Sequence, residues 1–330
     1  MKKVLLIGGG GYIGSVISDL LIKKNHEITI LDNFIYNHKH FIKNTLKNKN
    51  CYLVDTDLRN INSYKENLNN VDEIVILAGL VGDPITKEYP NISKKINDDG
   101  ISNLVDYISD LKNINHTIFI STCSNYGLST SELPLDENSP LNPISLYAKS
   151  KVNIEKKILS LKNKKNFSPT IFRFATAFGL SNRMRFDLTI NQFIRELYFG
   201  KDLEVYDPET WRPYCHVRDF AEIIYKSLNI ENSKIAFEVF NAGSNKNNYS
   251  KKKIVDIISN HIPTGNVSYV KGGTDQRNYV VNFDKLTKYF RFEPLISIEN
   301  SIEEIVNFLK SNSYNNNEVY GNYKINLTNE

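Results

Sequence analysis

The sequence is poor in sulfur and tryptophan: its 330 residues include three cysteines, two methionines and one tryptophan. Cys51, Cys123 and Cys215 lie far apart and are odd in number. That excludes a disulfide framework and fits free thiols in a reducing cytosol. No apolar run reaches the roughly 20 residues of a bilayer-spanning helix, so no membrane segment is expected. The opening MKKVLLIGGGGYIG starts like a signal peptide, but its apolar run is short and ends in glycines, so it reads as a first strand. A charge excess is missing too. With 41 basic and 37 acidic residues the formal net charge is +4. The lysines and asparagines are scattered rather than striped, which argues against nucleic acid as a partner.

What is present is alternation. Apolar runs VLLIG, EITILD, CYLVD, EIVILAG, TIFIST and PTIFRFAT alternate with amphipathic stretches at 12–24, 97–111 and 144–162. That order predicts right-handed βαβ units, hence an α/β fold: a Rossmann-type doubly wound parallel sheet with helices on both faces. After about residue 180 the rhythm turns irregular. The expected division is a dinucleotide-binding domain over 1–180 and a smaller substrate-binding lobe over 181–310, with part of 215–245 returning to the first domain. The stretch 311–330 is asparagine-rich without helical period and reads as a loosely ordered tail, whose tyrosines are free to dock on the body or on a partner chain.

VLLIGGGGYIG sets Gly8, Gly11 and Gly14, with Tyr12 and Ile13 between them, in a G-x-x-G-x-x-G spacing that joins a strand to a helix. Gly8 permits the tight turn, Gly11 lets backbone approach a pyrophosphate, and Gly14 allows close helix–strand packing. The phosphates would sit at the helix N-terminus. The second strand ends in Asp32, placed to meet the adenosine ribose; its charge would repel a 2′-phosphate, so NAD is expected over NADP. Asn33 follows, with no arginine adjacent. DTDLRN offers Asp57 and Leu58 for the adenine edge and face, and LAGLVG offers Leu77, Ala78 and Gly79 as cofactor wall. The Cys215–His216 pair has no partner spacing, so no metal is expected. His216 and Asp219 read as fixing a helix start.

PISLYAKSK places Tyr147 and Lys151 four apart, on one face of a helix. A phenol titrates near pH ~10, too high for a base at neutral pH. A neighbouring ammonium and a positive nicotinamide ring would favour the phenolate. Thr122, at the mouth of the fifth strand, can share the same substrate oxygen.

On GGGGYIG, LDN, DTDLRN, LAGLVG, STCSNYG, YAKSK, FRFATAFG and RPYCHVRD, the chain resembles the extended short-chain dehydrogenase/reductases of the nucleotide-sugar epimerase/dehydratase family. The resemblance runs from the glycine motif to about residue 310. It implies that Thr122, Tyr147 and Lys151 remove hydride from a sugar carbon, usually C4, onto NAD. It also implies that Asn97 helps order the active-site helix at the cofactor, and that helices near 91–111 and 144–162 form the interface of a cytoplasmic homodimer. Arg212 and Arg277 match arginines that grip the substrate's diphosphate, while Asn182, Arg183 and Arg185 fall in the loop that usually covers its nucleotide.

Two positions depart from the family pattern. Thr176 stands where an asparagine often contacts diphosphate. Cys123 and Ser124 stand where 4,6-dehydratases carry paired acids that take the C5 proton and protonate the departing C6 hydroxyl. The 3,5-epimerising relatives carry a cysteine one place later, at Ser124. Elimination therefore lacks its catalyst, which leaves C4 oxidation followed by ketone release or by return of hydride to the other face. A narrower resemblance, in LAGLVGDPITKEYP, FRFATAFGLSNRMRFDL and RPYCHVRD, is to the GDP-heptose 4-dehydrogenases of surface-polysaccharide pathways. It would set Val81, Gly82 and Asp83 along the sugar, beside Thr122, Cys123 and Ser124. The alternatives are a UDP-hexose 4-epimerase and a non-catalytic dinucleotide-binding regulator. Retention of Thr122, Tyr147 and Lys151 together speaks against the last.

Overall fold

The computed structural model describes residues 1–129, 133–273, 275, 277–311 and 318–326. Its strands run β1 (Lys3–Ile7), β2 (Glu27–Asp32), β3 (Cys51–Asp55), β4 (Glu73–Ile76), β5 (His116–Thr122), β6 (Pro169–Phe174), β7 (Thr176–Phe178), β8 (Leu203–Tyr206), β9 (Trp211–His216), β10 (Glu238–Ala242), β11 (Asn248–Ser250) and β12 (Val267–Val270). Seven of them form one sheet in the order β10-β6-β5-β4-β1-β2-β3, and every pair in it is parallel. β4 and β5 are buried at every residue. This explains why the runs read as continuously apolar rather than alternating: helices cover both faces.

Period-2 geometry sorts each strand between two cores. Val4, Leu6, Ile28, Ile30 and Phe172 pack under helices Tyr12–Lys23 and Val217–Ser227. Leu5, Ile7, Ile74, Ile76 and Phe119 pack under Ile101–Ser109 and Leu146–Ser160. The winding reverses at β1, which pairs β2 on one side and β4 on the other. A crevice opens over the strand ends at such a switch.

The chain leaves the sheet at Ala175, whose N–H donates to the Ala242 carbonyl at 3.0 Å. β7 already belongs to the lobe's three-stranded sheet, β11-β9-β7, so the lobe begins slightly before the expected boundary at 180. The segments that return to the first domain are the helix Val217–Ser227 and β10. Residues 318–326 pack against the body: Ile325 is buried in the second core, and the Asn326 N–H donates to the Ile35 carbonyl at 2.7 Å. Tyr320 lies 5.4 Å from the Phe41 ring. One aliphatic and one aromatic anchor suffice to order a polar segment that has no period of its own. Positions 312–317 and 327–330 lie outside the described residues.

Helix Leu146–Ser160 is set in register by its cap: the Ser145 hydroxyl accepts from the Ala148 N–H at 3.2 Å. Its inner face carries a carboxylate. Glu155 receives the Arg173 guanidinium (Nη2 at 2.8 Å), the Ser121 hydroxyl (2.5 Å) and the Asn125 amide (2.8 Å). Arg173 also reaches the Tyr126 hydroxyl at 3.1 Å. Removing one partner would strand the other's charge in the core. Arg173→Leu is therefore expected to cost about 3–5 kcal/mol of unfolding free energy, read from urea denaturation.

Candidate active site

A cavity of about 640 Å³ lies over the strand ends, between the sheet and the lobe. At one end is the glycine turn. Gly8 has φ +85°, and a Cβ there would fall 2.7 Å from the Ala78 backbone. A Cβ on Gly14 would fall 2.5 Å from the Gly8 carbonyl oxygen. Gly11 caps helix Tyr12–Lys23 without a side-chain acceptor, so its first-turn N–H groups are open to an anion. Asp32 braces this turn, accepting from the Gly10 N–H at 3.0 Å and from the Phe34 N–H at 2.8 Å. Asn33 donates to Asp57 at 2.8 Å. Burial works against the Asp57 charge, but the Arg59 guanidinium and N–H hold its carboxyl below the usual range. Tyr12, Ile13, Leu58, Leu77, Ala78 and Gly79 line the same space. These residues suit a dinucleotide: a tight turn, an open helix start and a carboxylate at the second strand end.

Asn97 does not line the cavity. Its carboxamide clamps the Leu80 backbone, accepting from N–H at 2.8 Å and donating to the carbonyl at 3.0 Å. It therefore shapes the loop after β4 rather than contacting a cofactor.

At the centre, Thr122, Tyr147 and Lys151 converge. Thr122 lies near enough to the Tyr147 hydroxyl to favour its ionised form. The Lys151 ammonium donates to the Ile120 carbonyl at 2.7 Å and sits 6.0 Å from the Tyr147 ring centre. The expected depression of the phenol by Lys151 is not what the protein alone produces. Burial pushes Tyr147 up to about 12, outweighing Arg185, Thr122 and Arg277. Burial likewise pushes Lys151 down to about 7 despite Glu155. Desolvation moves both groups toward their neutral forms.

Beyond them, Ser124 faces the lobe, its hydroxyl accepting from Arg277 at 3.0 Å. Cys123 does not: it is buried on the other side of the strand end, its thiol 3.2 Å from the Arg173 carbonyl oxygen and pushed up by burial. Both lie in the 3-10 turn Cys123–Tyr126, where neighbouring side chains point about a third of a turn apart, so the two face different ways. Val81, Gly82 and Asp83 form the facing wall. Arg277 pairs with Asp83 at 2.9 Å and with Asp275 at 2.8 Å, and Asp275 also holds Arg212 at 2.9 Å. Arg185 grips Asp187 through two bonds of 3.0 and 2.5 Å. Arg183 lines the cavity, whereas Asn182 is turned outward to Asp19 at 2.8 Å and does not. Thr176 is on the cavity wall.

His216 caps helix Val217–Ser227, its ring nitrogen accepting from the Arg218 N–H at 3.1 Å. Several lining residues carried no local signal: Tyr36, His38, Lys251, Tyr279, Asn322 and Tyr323 come from loops, from a helix start or from the C-terminal segment. Asp187 and Gln192 followed the arginine loop in sequence and were within reach of the same reasoning.

Residues 4–243 match the model of the NAD dependent epimerase/dehydratase family. A UDP-N-acetyl-alpha-D-glucosaminuronate decarboxylase of Bacillus cytotoxicus is 27% identical, over 94% of this chain and 98% of that protein. A UDP-glucuronate 4-epimerase of Thermodesulfobacterium geofontis is 24% identical, over 94% and 97%. The crystal structure of the UDP-glucuronic acid 4-epimerase of Bacillus cereus, in complex with UDP-glucuronic acid and NAD, superposes with a TM-score of 0.84 at 21% identity, covering 93% of this chain and 99% of that one.

The depressed Lys151 has a measurable consequence. Its folded form resists protonation below the ordinary lysine range, so wild-type stability is penalised at and below about pH 7, and the penalty fades as pH rises toward ~10. Lys151→Met escapes it. Its stability relative to wild type should be most favourable at pH 6 and decline by pH 9, as followed by denaturant titrations across that range.

Proposed function

The chain belongs to the NAD dependent epimerase/dehydratase family, and on that premise we propose that it oxidises C4 of a nucleotide-linked sugar. It is an NAD-dependent enzyme of the nucleotide-sugar epimerase/dehydratase type. The observation that carries the proposal is the convergence of Thr122, Tyr147 and Lys151 beside the glycine turn, with no acid at the next two positions.

When bound, NAD supplies the hydride acceptor. Gly8, Gly11, Gly14, Asp32, Asn33 and Asp57 would hold it, with Tyr12, Ile13, Leu58, Leu77, Ala78 and Gly79 as walls. Tyr147 takes the proton of the C4 hydroxyl at its phenolic oxygen while Thr122 orients that hydroxyl. Lys151, anchored to the Ile120 carbonyl, supports the charge that forms on the phenol. Arg212, Arg277 and Arg185 provide planar donors for the substrate's diphosphate. Cys123 is buried with its thiol turned away, and Ser124 is a neutral hydroxyl, so neither side chain provides an acid for loss of water.

The product is then the 4-keto sugar or its C4 epimer. We read the substrate as GDP-heptose-like, for surface-polysaccharide precursors, from the Val81–Gly82–Asp83 wall and the arginine loop. A UDP-hexose 4-epimerase is supported equally, by the UDP-glucose 4-epimerases among the relatives. The same reading makes the enzyme a homodimer. Tyr107, Leu146 and Leu159 lie exposed on helices Ile101–Ser109 and Leu146–Ser160, as a self-complementary helix pair requires. Three buried free thiols suit a cytoplasmic location. Among the described residues no helix is long and apolar enough to cross a membrane.

Tyr147→Phe is expected to lower hydride transfer by about 10²–10⁴-fold while NAD still binds. Survival of turnover would refute the mechanism. Mass spectrometry of GDP-heptose, GDP-mannose, UDP-glucose and UDP-N-acetylglucosamine incubated with protein and NAD assigns the reaction. Loss of two hydrogens identifies the dehydrogenase, and a new isomer at unchanged mass identifies the epimerase. Loss of water overturns the proposal.

A further inference from the structure

Arg183 differs from the other arginines of the cavity. Arg185, Arg212 and Arg277 each pair with a carboxylate. Arg183 is 2% exposed and lines the same cavity, yet the partner described for its guanidinium is a neutral one, the Gly321 carbonyl at 3.1 Å from Nη2. Its Nε has no hydrogen-bond partner. The nearby Asp187 is engaged by Arg185 through both oxygens. A buried guanidinium whose hydrogen-bond partner is a neutral carbonyl keeps its charge available to an anion in the cavity it lines.

The surroundings repeat the pattern. Tyr36, His38 and Asn322 also line the cavity, and among the described residues the Tyr36 hydroxyl, both His38 ring nitrogens and the Asn322 carboxamide oxygen are buried without hydrogen-bond partners, His38 Nε2 standing 3.7 Å from Asp32. Arg183 stacks on the Tyr36 ring, 5.0 Å from its centre. Tyr36 and His38 belong to the loop that follows β2, the strand that ends in Asp32. This is the dinucleotide end, whereas Arg212 and Arg277 stand at the Ser124 end.

The C-terminal segment 318–326 completes the enclosure. The Asn322 amide donates to the Val81 carbonyl at 2.9 Å, after β4. Asn326 bonds the Ile35 carbonyl at 2.7 Å and the Asn37 carboxamide at 2.9 Å, after β2. Ile325 anchors the segment in the core. It thus ties together the two loops that flank the glycine turn and presents the Gly321 carbonyl to Arg183.

We propose that Arg183, seated by this strap, takes a diphosphate oxygen of the bound dinucleotide, so that the C-terminal segment holds the cofactor in place. The proposal rests on the reading that this cavity holds NAD. A substrate diphosphate offers the same chemistry, so the experiment separates the two sources.

NAD affinity and release are measured without sugar substrate on the full chain, by calorimetry and stopped-flow fluorescence, alongside binding of GDP and UDP. Wild-type failure to bind NAD would defeat the functional reading itself. With wild-type binding established, Arg183→Gln is expected to raise the NAD Kd by about ten- to a hundredfold, the loss of a charged hydrogen bond, and to leave GDP and UDP binding unchanged. A chain ending at Ser311 is expected to release NAD faster as well. If that truncation does not fold, Asn322→Ala, which cuts the tie to Val81, is read in its place. Unchanged NAD binding in Arg183→Gln overturns the proposal, as does a loss confined to GDP or UDP, which would assign Arg183 to the substrate. Wild-type release from the strap variant overturns the strap's part.

Discussion

The site hangs on one buried carboxylate. Glu155 sits a turn beyond Lys151 on the same helix and gathers Arg173 from β6, Ser121 from β5 and Asn125 from the turn after it. An ion buried this deeply is tolerated only when its lone pairs are filled. Here the donors that fill them are the elements that must meet. Satisfying Glu155 therefore docks the helix on β5 and β6 at a single height, and at that height Tyr147 comes close to Thr122 while Lys151 reaches the Ile120 carbonyl. The geometry proposed for catalysis follows from a solvation requirement one layer below it.

The same low-dielectric setting governs the reacting groups. Burial drives Tyr147 and Lys151 toward neutrality, and the protein does not reverse this by itself. A positively charged ring beside the phenol would oppose this, so the proposed base would be readied by oxidised cofactor. Around them the arginines come with their acids: Asp83, Asp275 and Asp187 hold Arg277, Arg212 and Arg185 in fixed orientations. Donors arranged in advance lose little freedom on binding a diphosphate.

Much of this was legible in the chain itself. The six apolar runs, the glycine spacing and Asp32 follow local rules of period and turn, and the sheet is parallel as they imply. Tyr147 and Lys151 were legible because a helix brings fourth neighbours together. Adjacent positions were less so. Cys123 and Ser124 look equivalent in sequence, yet one faces the core and the other the cavity. Asn97 was legible as a polar residue near the site, but its clamp on Leu80, seventeen residues back, was not. Asn182 lies beside Arg183 and points away from it, to Asp19.

Sequence alone determined the local matters: where strands and helices run, which turn can accept a pyrophosphate, and which tyrosine has a lysine one turn away. These depend on neighbours within about four residues, whose geometry backbone sterics dictate. Tertiary structure alone decided which charges are compensated and what closes the cavity. Arg183 meets Gly321 across 138 residues, and Asn322 meets Val81 across 241. Such pairings arise from packing of the whole core, and no local period announces them. Within an asparagine-rich end that looks free in sequence, residues 318–326 are held because one isoleucine finds a hydrophobic slot and two asparagines reach backbone carbonyls.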